Sequence, residues 1–162
     1  MVVYYLDTSA ILKRYKTEKG TDVVDKLYAS DEAFLVTSHF SCLEVESVAA
    51  KAHKGHIPGY ALDQLGYAIL LSAFASDLGD RLYVVPVASG LVNEAIEAAR
   101  SHAVRAPDAI HVASASAVKK SVSEDFVFVS SDRELLSAAR VSGLMTLDPE
   151  SSDAMDTLKK LK

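Results

Sequence analysis

The amino-acid sequence predicts an α/β fold built from parallel βαβ units, and three observations carry that reading. Short, continuously apolar runs recur along the chain, the pattern of strands covered on both faces. Between them lie stretches with apolar residues at helical spacing. The two kinds alternate from the N-terminus to about residue 147. Such alternation implies crossover connections and hence a parallel sheet.

The strands come first. Val2 to Leu6 is wholly apolar and ends at Asp7. Phe34 to Val36 ends at Thr37-Ser38, Leu82 to Val87 ends near Ala88-Ser89, and Phe126 to Val129 ends at Ser130-Ser131-Asp132. Gly143 to Leu147 reads as a last strand. Helices are expected over Thr8–Tyr15, over Gly20–Ala29 with Val23, Val24 and Leu27 on one side, and over His39–Lys54 before the breakers Gly55, Pro58 and Gly59. Tyr60 to Leu78 carries Leu62, Leu65, Ile69 and Leu70 at helical spacing, a stripe suited to core and dimer surface. Ser89–His102 and Pro107–Lys120 follow, and Pro107 suits a first helical turn, where a missing N–H costs nothing. The last clear helix runs from near Asp132 to Gly143, with Ser131 and Glu134 as a capping box. No repeat, low-complexity tract or linker divides the chain, so one domain over residues 1–148 is expected, with 149–162 as a C-terminal tail.

Composition narrows the function. A chain of 162 residues, 49% of them apolar, is long enough for one sizeable core. The formal charge of −5 argues against a protein that holds nucleic acid by bulk charge. Any such partner must be held locally, through metal ions and a few basic side chains. The single cysteine, Cys42, excludes an intrachain disulfide and a Cys/His metal cage, and suits a reducing compartment. The opening MVVYYLD has no signal-peptide pattern, and Asp63, Gln64, Ser72, Ser76 and Asp77 interrupt the longest apolar stretch too often for a bilayer span. A soluble, cytoplasmic protein with no membrane partner is expected.

Four carboxylates then stand out. In an open parallel sheet, functional groups collect at the carboxyl ends of the strands. Asp7 ends the first strand, Asp132 follows a later one, Asp108 lies in a first helical turn, and Glu44 falls early in the helix after the second strand. All four belong to one edge of such a sheet. Converging carboxylates repel, and protons or a cation must offset that repulsion. Oxygen-only ligands select a hard divalent ion, Mg2+ or Mn2+, which also binds phosphate oxygens. Taken singly, Asp7, Asp108 and Asp132 read equally well as helix caps, and Glu44 as a solvated helix residue.

The residues around these carboxylates resemble a family. Tyr5-Leu6-Asp7-Thr8-Ser9-Ala10-Ile11-Leu12-Lys13 resembles the opening of PIN-domain proteins, most closely the VapC-type toxin ribonucleases. Ser41 to Ala49 is similar to their second acidic motif, with Glu44 at the acidic position; Pro107-Asp108-Ala109-Ile110-His111-Val112-Ala113 resembles the third; Phe128-Val129-Ser130-Ser131-Asp132 resembles the fourth. Each motif is weak alone, but the four occur in order from Val2 to about Pro149. The resemblance implies a three-layer α/β/α sandwich with a central parallel sheet of four to five strands. It implies Mg2+- or Mn2+-dependent hydrolysis of RNA, with Asp7, Glu44, Asp108 and Asp132 as catalytic residues and metal ligands. It further implies a cognate antitoxin and a homodimer. Two departures matter: Glu46 competes with Glu44, the two lying about 200° apart on a helix, and Ser130 and Ser131 stand where many relatives carry Thr.

Several neighbours are candidate supports. Thr8, Ser9 and Ser131 have hydroxyls suited to a ligand carboxylate. Lys13, Arg14, Lys16, Arg100 and Arg105 are candidates to line an RNA path, as is Lys51 on the side of the helix shared with Glu44; a solvated helix face is the competing reading. His111, one turn from Asp108, reads as a packing residue or a donor beside the site. His39, His53, His56 and His102 show no ligand spacing. The alternative to a nuclease is a catalytically silent PIN-like scaffold that binds RNA or a protein.

Overall fold

The chain order of the elements, described for residues 1–161 in a computed structural model, follows the predicted alternation. It runs β1 (Val2–Leu6), α1 (Thr8–Leu12), α2 (Thr21–Tyr28), β2 (Ala33–Ser38), α3 (His39–His53), α4 (Gln64–Asp80) and β3 (Leu82–Val85). It continues through α5 (Ser89–His102), α6 (Ala106–Ser121), β4 (Asp125–Val129), α7 (Arg133–Val141), β5 (Met145–Leu147) and α8 (Ala154–Lys160). The five strands form one all-parallel sheet in the order β3-β2-β1-β4-β5. Helices cover both faces, so the α/β/α sandwich is present.

Strand alternation explains the layers. Successive β1 side chains point to opposite faces. Val2, Tyr4 and Leu6 pack with Val23, Val24, Leu27, Val45, Leu70 and Phe74 of α2, α3 and α4. Val3 and Tyr5 pack with Val112, Ala115, Leu135 and Leu136 of α6 and α7. All five β1 residues are therefore buried, as a wholly apolar strand requires. The small residues Ala109 and Ala113 let α5 lie against α6 through Ala95.

The topology fixes where a site belongs. From β1 the chain moves outward to β2 and β3, then returns to β4 and β5 on the other side. The strand order thus reverses at the β1/β4 pair, and the crevice beyond their carboxyl ends is the usual ligand position in such sheets.

The structure corrects several expectations. α1 stops at Leu12 rather than Tyr15, because the next N–H groups tighten onto carbonyls three residues back, as in Lys13 to Ala10 and Tyr15 to Leu12. α4 starts at Gln64 rather than Tyr60, since Asp63 caps it by accepting from the Gly66 N–H at 2.7 Å. β3 ends before Pro86, which has no N–H to donate. β5 begins only at Met145, because Gly143 adopts φ +79° and turns the chain. After Pro149 comes α8, whose Ala154 and Leu158 are buried in the same cluster as Val2, Tyr4 and Leu27. Cys42 is half-buried against that core. No helix among the described residues is long and apolar enough to cross a membrane.

Candidate active site

Asp7 lies in the crevice at the strand-order reversal. Its N–H still reaches the Val129 carbonyl of β4 at 3.1 Å, while its side chain turns back to cap α1, Oδ1 accepting from the Ala10 N–H at 2.9 Å. The Ser9 hydroxyl lies 2.8 and 3.0 Å from the two carboxylate oxygens, and the Ser130 hydroxyl donates to Oδ2 at 2.8 Å. The residue is only 4% exposed. Burial pushes its carboxyl above the usual range, against the hydrogen bonds from Ala10, Ser130 and Ser9.

Glu44 arrives from the neighbouring strand. β2 ends at Ser38, whose hydroxyl accepts from the Phe40 N–H and starts α3 with no intervening loop. Glu44 then sits in the second turn, where Thr8 donates to its Oε2. The same oxygen takes the His111 Nε2 at 2.9 Å. Burial alone would raise this carboxyl; the hydrogen bonds from His111 and Thr8 outweigh it and hold the group below its usual value. Glu46, the competing acid, is exposed on another side of α3.

Asp108 and Asp132 meet around a cation of the chain itself. Asp108 is buried in the first turn of α6, and Arg105, the N-cap residue, grips it with Nε at 2.9 Å from Oδ2 and Nη2 at 3.3 Å from Oδ1. The same Nη2 lies 3.3 Å from Oδ2 of Asp132. Asp132 uses its other oxygen, Oδ1, to cap α7, accepting from the N–H groups of Glu134 and Leu135 at 2.9 and 3.1 Å. The cap is thus Asp132 itself, and not the expected Ser131/Glu134 box, because the aspartate carboxylate reaches both free N–H groups.

Of the four carboxylates, Asp108 and Asp132 share a partner, while Asp7 and Glu44 are held through separate contacts. Asp7 is bound into the loop after β4 through Ser130 and Ser9, Glu44 is joined to α1 and α6 through Thr8 and His111, and Asp108 and Asp132 share Arg105. Among the described residues, no three acidic, histidine or cysteine side chains stand close enough to cage a metal ion. A hard divalent ion such as Mg2+ needs less, since it keeps several waters and takes only one or two carboxylates. The oxygen-only donor set fits it, and the Arg105 guanidinium already fills a cationic position between two of the acids.

The supporting residues divide unevenly. Thr8 donates to Glu44 and Ser9 to Asp7. Ser131 does not: its N–H donates to Ser9 Oγ, its own hydroxyl is buried without a partner, and Ser130 takes the role on Asp7. Lys13 is 1% exposed and ion-paired to Glu18 at 3.0 Å and Glu150 at 2.6 Å, so its charge is already matched within the chain. Arg14 pairs with Asp25, whereas Lys51 stays exposed at the end of α3. Ser130 and His111 hold Asp7 and Glu44; in the sequence, Ser130 stands where many relatives carry Thr, and the Asp-Ala-Ile-His spacing puts His111 one turn from Asp108. A cavity of about 240 Å3 opens beside Ser9 and Ser131, walled by Leu12, Val48 and Tyr60.

Comparisons with known proteins agree with this fold. A family model described as PIN domain matches residues 4–141. No curated protein matches the sequence. Among solved structures, VapBC2 from Rickettsia felis bound to a promoter DNA fragment superposes with a TM-score of 0.63 at 12% identity, over 90% of this chain and 98% of the other. VapBC-1 from nontypeable Haemophilus influenzae gives 0.62 at 14% identity over 92% and 99%. A toxin–antitoxin complex from Klebsiella pneumoniae gives 0.59 at 12% over 90% and 97%. At these identities the structures speak for the fold.

Proposed function

The chain belongs to the PIN-domain family, and from that premise we propose that it is a metal-dependent ribonuclease, the toxin of a toxin–antitoxin pair. The observation that carries the reading is the Arg105 guanidinium held between Asp108 and Asp132. Two carboxylates from different helices, drawn together at the strand-order reversal around a positive charge, are half of a cation site. Asp7 and Glu44 complete it.

In this reading Asp7, Glu44, Asp108 and Asp132 hold Mg2+ or Mn2+. The ion, when bound, neutralises the acids, attracts phosphate oxygens and acidifies water. The chain does the positioning. Ser9, Ser130 and the Ala10 N–H fix both oxygens of Asp7. The α7 N-terminus fixes Oδ1 of Asp132 and leaves Oδ2 to the cation. Glu44, held through Oε2, presents Oε1. Arg105, with 68% of its side chain exposed, is placed to meet a phosphate on the rim, and Lys51 extends that path. A chain of net charge −5 thereby binds RNA only at its loaded site.

The partners follow from the relatives. A cognate antitoxin is proposed because a neighbouring structure is described as a toxin–antitoxin complex. A homodimer is proposed because α4 buries Leu70 and Phe74 yet leaves Leu65 and Ile69 exposed, with Leu43 of α3 also exposed. The test of the activity is RNA cleavage with Mg2+ or Mn2+ by wild type and Asp7→Asn. Cleavage by wild type alone is expected. Equal cleavage by both sinks the site assignment. No cleavage of any RNA, with no bound metal, selects the catalytically silent scaffold.

A further inference from the structure

The mechanism above uses Glu44 but not the buried chain of groups behind it. His111 is 2% exposed and lies on α6, one turn after Asp108. Its Nε2 is 2.9 Å from Glu44 Oε2, and its Nδ1 is 3.0 Å from the hydroxyl of Tyr5, next to the carboxyl end of β1. The ring is fixed edge-on between Tyr5, with centroids 6.0 Å apart at 77°, and Phe40, 6.3 Å apart at 73°. Tyr5 in turn stacks on Phe128 of β4 with centroids 5.4 Å apart. Both donors to Glu44, Thr8 and His111, land on Oε2.

We infer that His111 is a positioning residue, held by the Tyr5 hydroxyl as the Nε2–H tautomer, that clamps Glu44 through Oε2 and leaves Oε1 as its working oxygen. The hydrogen bookkeeping leads there. A carboxylate oxygen only accepts, so the atom facing Oε2 must be Nε2–H. A neutral ring then has its lone pair on Nδ1, and the Tyr5 O–H is the donor that fills it. The chain Tyr5 O–H to Nδ1, Nε2–H to Oε2 leaves neither ring nitrogen unsatisfied in an interior where such a group is costly. It spans β1, α6 and α3, so the sheet sets the orientation of an acid carried on a helix.

The inference rests on the reading of Glu44 as a metal ligand, and the experiment separates the two. Nitrogen-15 NMR of the His111 ring, without metal or RNA, should show the Nε2–H tautomer in wild type and a mixed population in Tyr5→Phe. Calorimetry with Mn2+ should show His111→Gln, whose amide nitrogen can replace Nε2, within about threefold of wild type. His111→Leu should lose about tenfold or more, the usual cost of removing the partner of a ligand. Where His111→Leu fails to fold, His111→Asn replaces it, because its shorter amide cannot reach Glu44. An Nδ1–H tautomer, or equal Mn2+ affinity in the Gln and the Leu or Asn variants, overturns the inference. Wild type that binds no Mn2+ overturns the metal reading instead, and the tautomer then decides the hydrogen-bond chain by itself.

Discussion

Asp7→Asn should remove activity and at the same time stabilise the protein. The carboxylate is 4% exposed, and burial holds its carboxyl above the usual value despite the hydrogen bonds it accepts. A raised carboxyl means that the folded state disfavours the ionised form relative to the unfolded chain. The penalty is fully present above the folded-state value and disappears as pH falls below the unfolded one, about 3.9. The amide fits the same contacts: its oxygen keeps the Ala10 N–H and its nitrogen can donate to Ser130 Oγ. A gain of about 1–2 kcal/mol at neutral pH is expected, the usual size for a relieved functional site. In a chain of this length that is a rise in Tm of about 2–8 °C. The assay is thermal unfolding of both proteins in EDTA from about pH 4 to pH 8. The gap should be widest at neutral pH and close towards acid. Mn2+ should then reverse the order, since an ion at about a hundred times its Kd stabilises the wild type by about 2.7 kcal/mol. An Asn variant less stable than wild type in EDTA at neutral pH, or a gap that ignores pH, would refute the reasoning.

Other perturbations test the supporting parts. Arg105→Gln should raise Mn2+ affinity about two- to fivefold, by removing the competing cation, while weakening RNA binding; calorimetry with each ligand separates the effects. Lys13→Ala should cost about 2 kcal/mol in urea unfolding, less than a fully buried pair, because Glu18 and Glu150 keep 31% and 39% of their side chains exposed and regain water. The same variant should leave RNA affinity unchanged, whereas Lys51→Ala lowers it and flattens its salt dependence. Gly20→Ala should cost about 3 kcal/mol: φ is +86°, and a Cβ would lie 2.7 Å from the Pro149 carbonyl oxygen, a backbone atom that cannot swing aside.

The parts of this protein that depend on periodicity were legible in the sequence. β1 is wholly apolar because both faces are covered, and five such runs with helices between them admit few arrangements other than a parallel sheet. Element ends were less legible where a side chain decides them, as with Asp63 at α4 and Asp132 at α7. Asp132 also shows why neither reading of a carboxylate excluded the other: one oxygen caps a helix while the other faces Arg105. The cap is what turns the second oxygen toward Arg105. The pairing of Lys13 was hidden for a related reason. A lysine in a basic run reads as solvated, and only the fold reveals that Glu150, 137 residues later, lies 2.6 Å from it. His111 is the opposite case. Its helical neighbours are apolar, so packing is the natural reading, and its two polar partners come from positions 67 and 106 residues away. Long-range hydrogen bonds of this kind have no local signature. They tie three of the four scattered acids to other elements: Asp7 to Ser130, Glu44 to Thr8 and His111, and Asp132 to Arg105, which also grips its own helix neighbour Asp108. Replacing the acids tests the chemistry; replacing Ser130, Arg105 and His111 tests whether the fold was needed to aim them.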